Sequence, residues 1–262
     1  MTLLIGIKCT DGLVIAADGA TTFGDSLGNR TIRQPSRKLT IIDNRMIVAV
    51  TGPVGLQQRF VGELSALQPG PNMKRHQMME LLANAIRKPL QNEYKNAEAV
   101  RGALGNAAIQ GVLSGTIIGL AVESQPTLIQ FDHQGSPECA TDTLRFISLG
   151  SGQPLADPFL AFLARVFWQD HAPTLNEGIF AATWTLQHAI KTNPGGVDDP
   201  IQVMTLTPAK GSAPDIRELA PTDLQEHRQA IMAAESRLAT FRDAMKPAEH
   251  QTAIPTPEGR SA

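Results

Sequence analysis

The stretch Met1-Thr2-Leu3-Leu4-Ile5-Gly6-Ile7-Lys8-Cys9-Thr10-Asp11-Gly12-Leu13-Val14-Ile15-Ala16-Ala17-Asp18-Gly19 decides the fold. Leu3 to Cys9 is an apolar, β-rich run, and Leu13 to Ala17 is a second. Between them stands Thr10-Asp11-Gly12. Asp-Gly between apolar runs is a strong hairpin signal, because these residues accept the left-handed backbone that a tight turn requires. The chain therefore opens at once with a β-hairpin. A residue at the head of such a strand is held rigidly, whereas most chain termini fray.

Further along, Asp18 to Pro35 is polar and rich in Gly, Thr and Arg, which reads as a loop. Leu39 to Ile42 and Met46 to Val50 flank Asp43-Asn44-Arg45 and form a second hairpin. Thr51-Gly52-Pro53-Val54-Gly55 breaks the strand and opens a helix. Helical spacing covers 54–67 and 75–98, where Met78, Leu81, Leu82, Ala85 and Ile86 recur at three and four residues. Pro89 should kink or divide the second helix. A Gly/Ala-rich connection at 101–114 leads to strands at 115–122, 127–132 and 144–149. Leu149-Gly150-Ser151-Gly152-Gln153 then starts a helix pair, 155–168 and 174–190, which Asn193-Pro194-Gly195-Gly196 stops before a last strand, Ile201 to Leu206.

Apolar faces must be buried in layers. The order of elements predicts an α+β fold: a four-layer αββα sandwich, two antiparallel sheets between helical layers. Residues 1–207 form this domain. Residues 208–221 are rich in Pro, Ala and Gly and read as a linker. A C-terminal helical extension follows at 222–246, opened by Thr222-Asp223-Leu224-Gln225 in capping-box spacing. Leu224, Ile231, Ala234, Leu238, Phe241 and Met245 lie along it at heptad-like intervals, for docking on its own domain or on a neighbouring subunit. The tail, 247–262, reads as disordered.

Composition removes several function classes. The net charge is -2 and the pI near 6.3, with no basic excess for nucleic acid. No apolar stretch approaches the roughly 20 residues that span a bilayer. No basic segment precedes an apolar one at the start, so the expected location is the cytoplasm. Cys9 and Cys139 form neither CxxC nor a metal spacing with the six histidines, and read as free thiols. Thr51-Gly52-Pro53-Val54-Gly55 and Gly150-Ser151-Gly152 are Gly loops before helices, but no Gly-Lys-Ser/Thr follows either, so ATP is not expected to bind.

Chemistry is expected at Thr2. A hydroxyl is a weak nucleophile near neutral pH and needs an adjacent base. A threonine at the very N-terminus brings its own, because a free α-amine has a pKa of about 7.7–8.0, near the value a general base wants. A nearby lysine ammonium would keep that amine neutral. Met-Thr by itself is common and says little.

The residues after it say more. The return strand ends Ile15-Ala16-Ala17-Asp18-Gly19, and Thr22-Phe23-Gly24, Arg37-Lys38-Leu39 and Val48-Ala49-Val50-Thr51-Gly52 follow in order. With Gly150-Ser151-Gly152 this set resembles the β-type subunits of the proteasome superfamily, N-terminal-nucleophile hydrolases, over roughly residues 2–207. Asp18-Gly19, Thr22-x-Gly24 and Thr192-Asn193 resemble HslV more than other β subunits, the added C-terminal region departs from HslV, and the chain as a whole is most similar to the divergent bacterial proteasome homologue (BPH) branch.

The resemblance implies a self-compartmentalising threonine endopeptidase. Met1 is removed, Thr2 attacks the scissile carbonyl, and Lys38 paired with Asp18 supports it. The Gly52 N–H holds the oxyanion and Ser151 supports the amine. The backbones of Thr21, Thr22 and Gly52 would pair with extended substrate, and Thr40, Val50 and Val54 would line the S1 pocket. The Asp18–Lys38 connection is about four residues longer than is usual in the family. A supporting carboxylate is absent: Gln187 or Lys191 stands near its position, unless Asp198 or Asp199 substitutes. No cofactor is required; the carbonyls of Leu186, Ala189 and Thr192 match the positions that hold a monovalent cation, sodium or potassium.

The partners implied are copies of the same chain in stacked rings, a tetradecamer or an HslV-like dodecamer, and unfolded peptide or protein substrates. Nothing specifies an ATP-dependent unfoldase, and neither nucleic acid nor membrane is expected. Two alternatives stand beside this reading: a catalytically impaired structural ring subunit of the same fold, and an N-terminal-nucleophile amidase acting on a small molecule.

Overall fold

A computed structural model describes residues 2–24, 30–70, 73–193 and 196–244. Met1, the stop at Pro194-Gly195 and the tail at 247–262 lie outside the described residues. The chain begins with β1 (Leu4–Lys8), β2 (Leu13–Ala17), β3 (Ala20–Gly24), β4 (Arg30–Pro35), β5 (Leu39–Ile42) and β6 (Met46–Val50). Helices α1 (Val54–Ser65), α2 (Arg75–Leu104) and α3 (Ala107–Gln110) follow. Then come β7 (Thr116–Val122), β8 (Gln125–Phe131), β9 (Pro137–Cys139) and β10 (Phe146–Leu149). The chain continues with α4 (Gln153–Phe167), α5 (Leu175–Thr192), β11 (Gln202–Thr207), β12 (Asp215–Glu218) and α6 (Gln225–Ala244).

Two five-stranded sheets, β10-β1-β2-β11-β12 and β5-β6-β7-β8-β9, are antiparallel throughout. Strand alternation sorts their side chains into three cores. Leu4, Leu13, Ile15 and Ala17 meet Ile47, Ala49, Ile117 and Leu128 between the sheets. Leu3, Ile5, Ile7, Val14 and Ala16 face the other way, onto Ala156, Leu160, Ala182 and Leu186 of α4 and α5. Met46, Val48 and Val50 face Leu56 and Phe60 of α1 and Leu82 and Ile86 of α2. Helix, sheet, sheet and helix therefore stack as the expected sandwich. Each Leu or Ile fully withdrawn from water contributes roughly 1.5–3 kcal/mol against chain entropy.

Turns set the registers. Cys9 N–H donates to the Gly12 carbonyl at 2.9 Å, closing the first hairpin. Asp43 and Asn44 both take φ 51° in the second. In α5, Thr174 and Glu177 form a reciprocal capping box.

Four local readings are corrected. The segment read as a loop after Asp18 carries β3 and β4, a hairpin paired only with itself, with Thr22 opposite Arg33. Its polar composition hid it, because its Gly-, Thr- and Arg-rich sequence carries no apolar alternation. Of the kink or division expected at Pro89, the division does not occur: α2 runs on through it, the ring is buried mid-helix, and Leu82, Ile86 and Leu90 pack on either side into one core. The connection at 101–114 is partly helical, holding the end of α2 and all of α3. The stretch 208–221 is not a free linker, since β12 pairs with β11, with Met204 opposite Glu218, and Leu219 N–H donates to the Val203 carbonyl at 2.9 Å.

Helix α6 lies on α5, with Leu224 and Ile231 buried in that core and Trp184 Nε1 donating to Glu235 at 3.2 Å. Burial pushes the Cys9 thiol far above the usual range, with Asp11 and Glu177 adding to it. Cys9 is therefore expected to resist alkylation at neutral pH in the native protein and to react fully once the chain is unfolded, as intact-mass measurement would show.

Candidate active site

The sheet order β10-β1-β2 puts Thr2, just ahead of β1, between the ends of two neighbouring strands. On the β2 side stands Asp18, wholly buried, and Lys38, 3% exposed, reaches it from the start of β5. Lys38 Nζ donates to Asp18 Oδ1 at 2.6 Å and to Thr2 Oγ1 at 3.2 Å. Asp18 Oδ1 also accepts the Leu3 N–H at 2.8 Å, and Oδ2 accepts the N–H of Ala20 at 3.3 Å and of Asp198 at 3.4 Å. A buried carboxylate is tolerated only with such partners.

Burial lowers the Lys38 pKa from its usual value, and the charge and hydrogen bond of Asp18 oppose that drop. The lysine is thus a cation poised to give up its proton more readily than a surface lysine.

On the β10 side, Gly150-Ser151-Gly152 wraps Thr2. The Thr2 main-chain nitrogen donates to Ser151 Oγ at 3.1 Å, and its carbonyl accepts the Gly152 N–H at 3.2 Å. Gly150 has φ +104°, and a Cβ there would lie 2.2 Å from the Thr2 carbonyl oxygen. Gly150→Ala is therefore expected to destabilise the protein by about 1–3 kcal/mol. Gly105→Ala, also at positive φ but with no atom within 4 Å of the new Cβ, isolates the backbone strain. The excess loss at Gly150, read by denaturant unfolding, measures the close approach to Thr2.

Gly52 follows β6 at φ +102°, and a Cβ there would meet the Leu113 carbonyl at 2.6 Å. Thr51 fixes this turn: its N–H donates to the Gly115 carbonyl at 2.8 Å, and its Oγ1 accepts the Gly115 N–H at 2.9 Å. Gly52, Thr2, Gly150 and Ser151 together line a cavity of about 630 Å³.

The structure thus brings together Thr2, Asp18, Lys38, Gly52 and Ser151. Thr21 and Thr22 sit on β3, with Thr21 Oγ1 hydrogen-bonded to Ser36 Oγ. Thr40 lies opposite Val48 on the α1-facing side of β5–β6, the same side as Val50. Val50 is 4% exposed in that core, and Val54 opens α1 at the surface. Among the described lining residues of the 630 Å³ cavity, Thr21, Thr40, Val50 and Val54 do not appear.

Leu186, Ala189 and Thr192 run along the last two turns of α5, with the Ala189 carbonyl accepting the Asn193 N–H at 2.9 Å. The negative end of a helix suits a cation there. Among the described residues no group of three or more His, Cys, Asp or Glu is placed to hold a metal ion.

Sequence reasoning missed Gln202, Ser114, Asp132 and His133, and named Asp198 only as a substitute carboxylate. Gln202 Oε1 accepts the Lys38 N–H at 2.9 Å while its Nε2 donates to the Ser36 carbonyl at 2.7 Å, fixing the strand that presents Lys38. Asp198 reaches the site through its main chain: beyond its bond to Asp18, its carbonyl accepts the Gly19 N–H at 2.8 Å, and its Oδ1 accepts the Asp199 N–H at 2.8 Å. Ser114, Asp132 and His133 line the cavity beside Thr2 from β7 and the β8–β9 turn. A lone Gln, Ser or His far along the chain gives no signal until the topology is known.

A family model described as proteasome subunit matches residues 2–198. A proteasome subunit beta of Methanococcus aeolicus is 33% identical over 91 residues, 32% of this chain and 40% of that protein. A proteasome subunit beta of Methanocella paludicola is 26% identical over 212 residues, 80% of this chain and 89% of that protein. Among solved structures, the Anbu complex of Pseudomonas aeruginosa, described as a helical assembly, superposes with TM-score 0.69. It covers 95% of this chain and 98% of its own at 15% identity, so that likeness is one of fold.

Proposed function

Because this chain belongs to the proteasome subunit family, as a divergent member, we propose that it is a threonine endopeptidase that works inside an assembly of its own copies. Thr2 is the nucleophile after removal of Met1. The observation that carries this reading is the buried Lys38 ammonium, 2.6 Å from Asp18 and 3.2 Å from the Thr2 hydroxyl.

The chemistry runs in two stages. The freed α-amine takes the proton from Thr2 Oγ1 as that oxygen bonds to the scissile carbonyl carbon. Lys38 favours the developing negative oxygen electrostatically. The carbonyl oxygen becomes an oxyanion beside the Gly52 N–H, and a donor of this kind typically contributes about 2.7–4 kcal/mol to the transition state. The C–N bond then breaks, the leaving amine takes the proton, and an ester to Thr2 is left. Water, deprotonated by the same α-amine, hydrolyses the ester and restores the hydroxyl. Ser151, already on the Thr2 nitrogen, orients the amine. Asp18 holds Lys38 charged and in place.

The substrate's acyl side lies along the backbones of Thr21, Thr22 and Gly52 as an added strand, with Thr40, Val50 and Val54 selecting a medium-sized apolar residue. Copies of the chain associate through the helical layers as stacked rings, a tetradecamer or a dodecamer. Enclosure of Thr2 restricts substrates to unfolded chains. A sodium or potassium ion at the C-terminal turn of α5 would brace the loop that carries Asp198. No helix among the described residues is long and apolar enough to cross a membrane, and the cytoplasm is the proposed location.

The impaired-subunit alternative draws on Gln187 standing where a carboxylate is expected; Asp198 and its bond to Asp18 supply a different brace. Incubation of the purified assembly with an unstructured protein separates the readings. An endopeptidase releases internal peptides, which mass spectrometry identifies. An amidase turns over only small amides, and an impaired subunit turns over neither.

A further inference from the structure

Among the described residues, the 630 Å³ cavity is lined by Thr2 but not by Asp18 or Lys38. In the order β10-β1-β2, Asp18 ends the β2 side of the nucleophile, Lys38 is held there by its bond to Asp18 and β3 continues from it in the chain, whereas Gly150 and Ser151, which line the cavity, follow β10. An extended peptide laid along β3 with its scissile bond at Thr2 must send its leaving-group half into this cavity. Its floor is apolar, with Leu113 and Leu149, and Asp132 is its single carboxylate among the described lining residues. The Asp132 side chain is set rigidly, Oδ1 accepting the N–H of Gln134 and of Ser136, each at 2.8 Å. The turn itself is tied down by the Tyr94 hydroxyl, which donates to the His133 carbonyl at 2.7 Å.

Ser114 adds an independent sign that something binds here. The residue is 5% exposed, lines the cavity, and its buried hydroxyl has no hydrogen-bond partner among the described residues. Buried polar atoms are nearly always paired, so an orphan beside the nucleophile points to a partner that arrives with the substrate.

We propose that this cavity is the subsite for the first residue after the scissile bond, and that it selects lysine or arginine there. The aliphatic stem lies on Leu113 and Leu149, the cationic head meets Asp132, and Ser114 Oγ turns to the substrate main chain. The proposal deepens the threonine-protease reading and rests on it.

The test is a set of internally quenched peptides of one sequence, differing only in that residue: Lys, Arg, Leu or Glu. The full-length wild-type protein is expected to cleave the Lys and Arg peptides with kcat/KM about tenfold above the others. Asp132→Asn keeps the Oδ1 acceptor that the turn needs and is expected to bring that ratio close to one. Ser114→Ala is expected to lower kcat/KM on all four peptides alike. A flat wild-type profile, with Thr2 still modified by a threonine-directed inhibitor, overturns the inference and leaves the protease reading standing. Preference retained in Asp132→Asn also overturns it. Absence of all cleavage together with an unmodified Thr2 removes both. The wild-type scan decides the matter even where a variant fails to fold.

Discussion

Replacing Thr2 with alanine is expected to lower peptide cleavage by on the order of 10⁴-fold or more, to the level left by binding and the oxyanion donor alone. The fold should survive. Thr2 contributes one hydrogen bond to Lys38 through Oγ1, and the 2.6 Å Lys38–Asp18 contact remains without it. The packing that holds the strand comes from Leu3 and Leu4, both fully buried on opposite faces. Thr2→Ser keeps a hydroxyl in the same place and should retain a measurable part of the activity. Rates on a fluorogenic peptide, measured beside the unfolding midpoints, separate loss of the nucleophile from loss of structure.

Lys38→Ala has the second large effect, and it falls on stability as well as activity. Removing the ammonium leaves Asp18, wholly buried, with only backbone N–H partners. Breaking a buried ion pair by deleting one partner costs about 3–5 kcal/mol, which denaturant unfolding would show. Lys38→Arg is not expected to rescue activity, since a planar guanidinium cannot occupy the space of a compact ammonium between Thr2 and Asp18.

Asp18→Asn tests the electrostatics more gently. Burial already lowers the Lys38 pKa, and Asp18 is what raises it. Without that carboxylate the lysine loses its proton at lower pH. Activity that needs the cation falls as pH rises through the Lys38 pKa, so the alkaline limb of the pH–rate profile is expected to move to lower pH. An unmoved limb would show that Lys38 acts without its charge.

Much of this arrangement was legible in the residues. The apolar runs Leu3 to Cys9 and Leu13 to Ala17, with Asp11-Gly12 between them, pointed to a hairpin, and a layered sandwich buries both of its faces. The pairing of Asp18 with Lys38 came from the resemblance to the proteasome superfamily, and the strands account for it: Asp18 directly follows β2 and Lys38 directly precedes β5. The missed features share a physical cause: they are stabilised by neighbours distant in sequence. The β3–β4 hairpin has no apolar pattern because it pairs only with itself. Pro89 is tolerated because α2 is clamped by the sheet beneath it. The strand at Asp215–Glu218 exists because β11 offers it an edge, and its four residues, all exposed but Ile216, carry too short a pattern to signal it. Gln202, Ser114 and Asp132 came to the site only when the order of strands was fixed, since their sequence separation from Thr2 exceeds a hundred residues.

The C-terminal helix illustrates the same limit. Its heptad-like stripe reads as one surface, yet Leu224 and Ile231 are buried on α5 while Leu238 and Phe241 stand exposed. The choice between docking sites was not contained in the spacing.

The most direct test is intact-mass and peptide-level mass spectrometry of the purified protein, with and without an epoxyketone that needs both a hydroxyl and a free amine on one threonine. The account predicts a chain that has lost Met1 and carries a single adduct, located on Thr2. A chain that keeps Met1 in the assembled protein, or an adduct elsewhere while Thr2 stays unmodified, would contradict it.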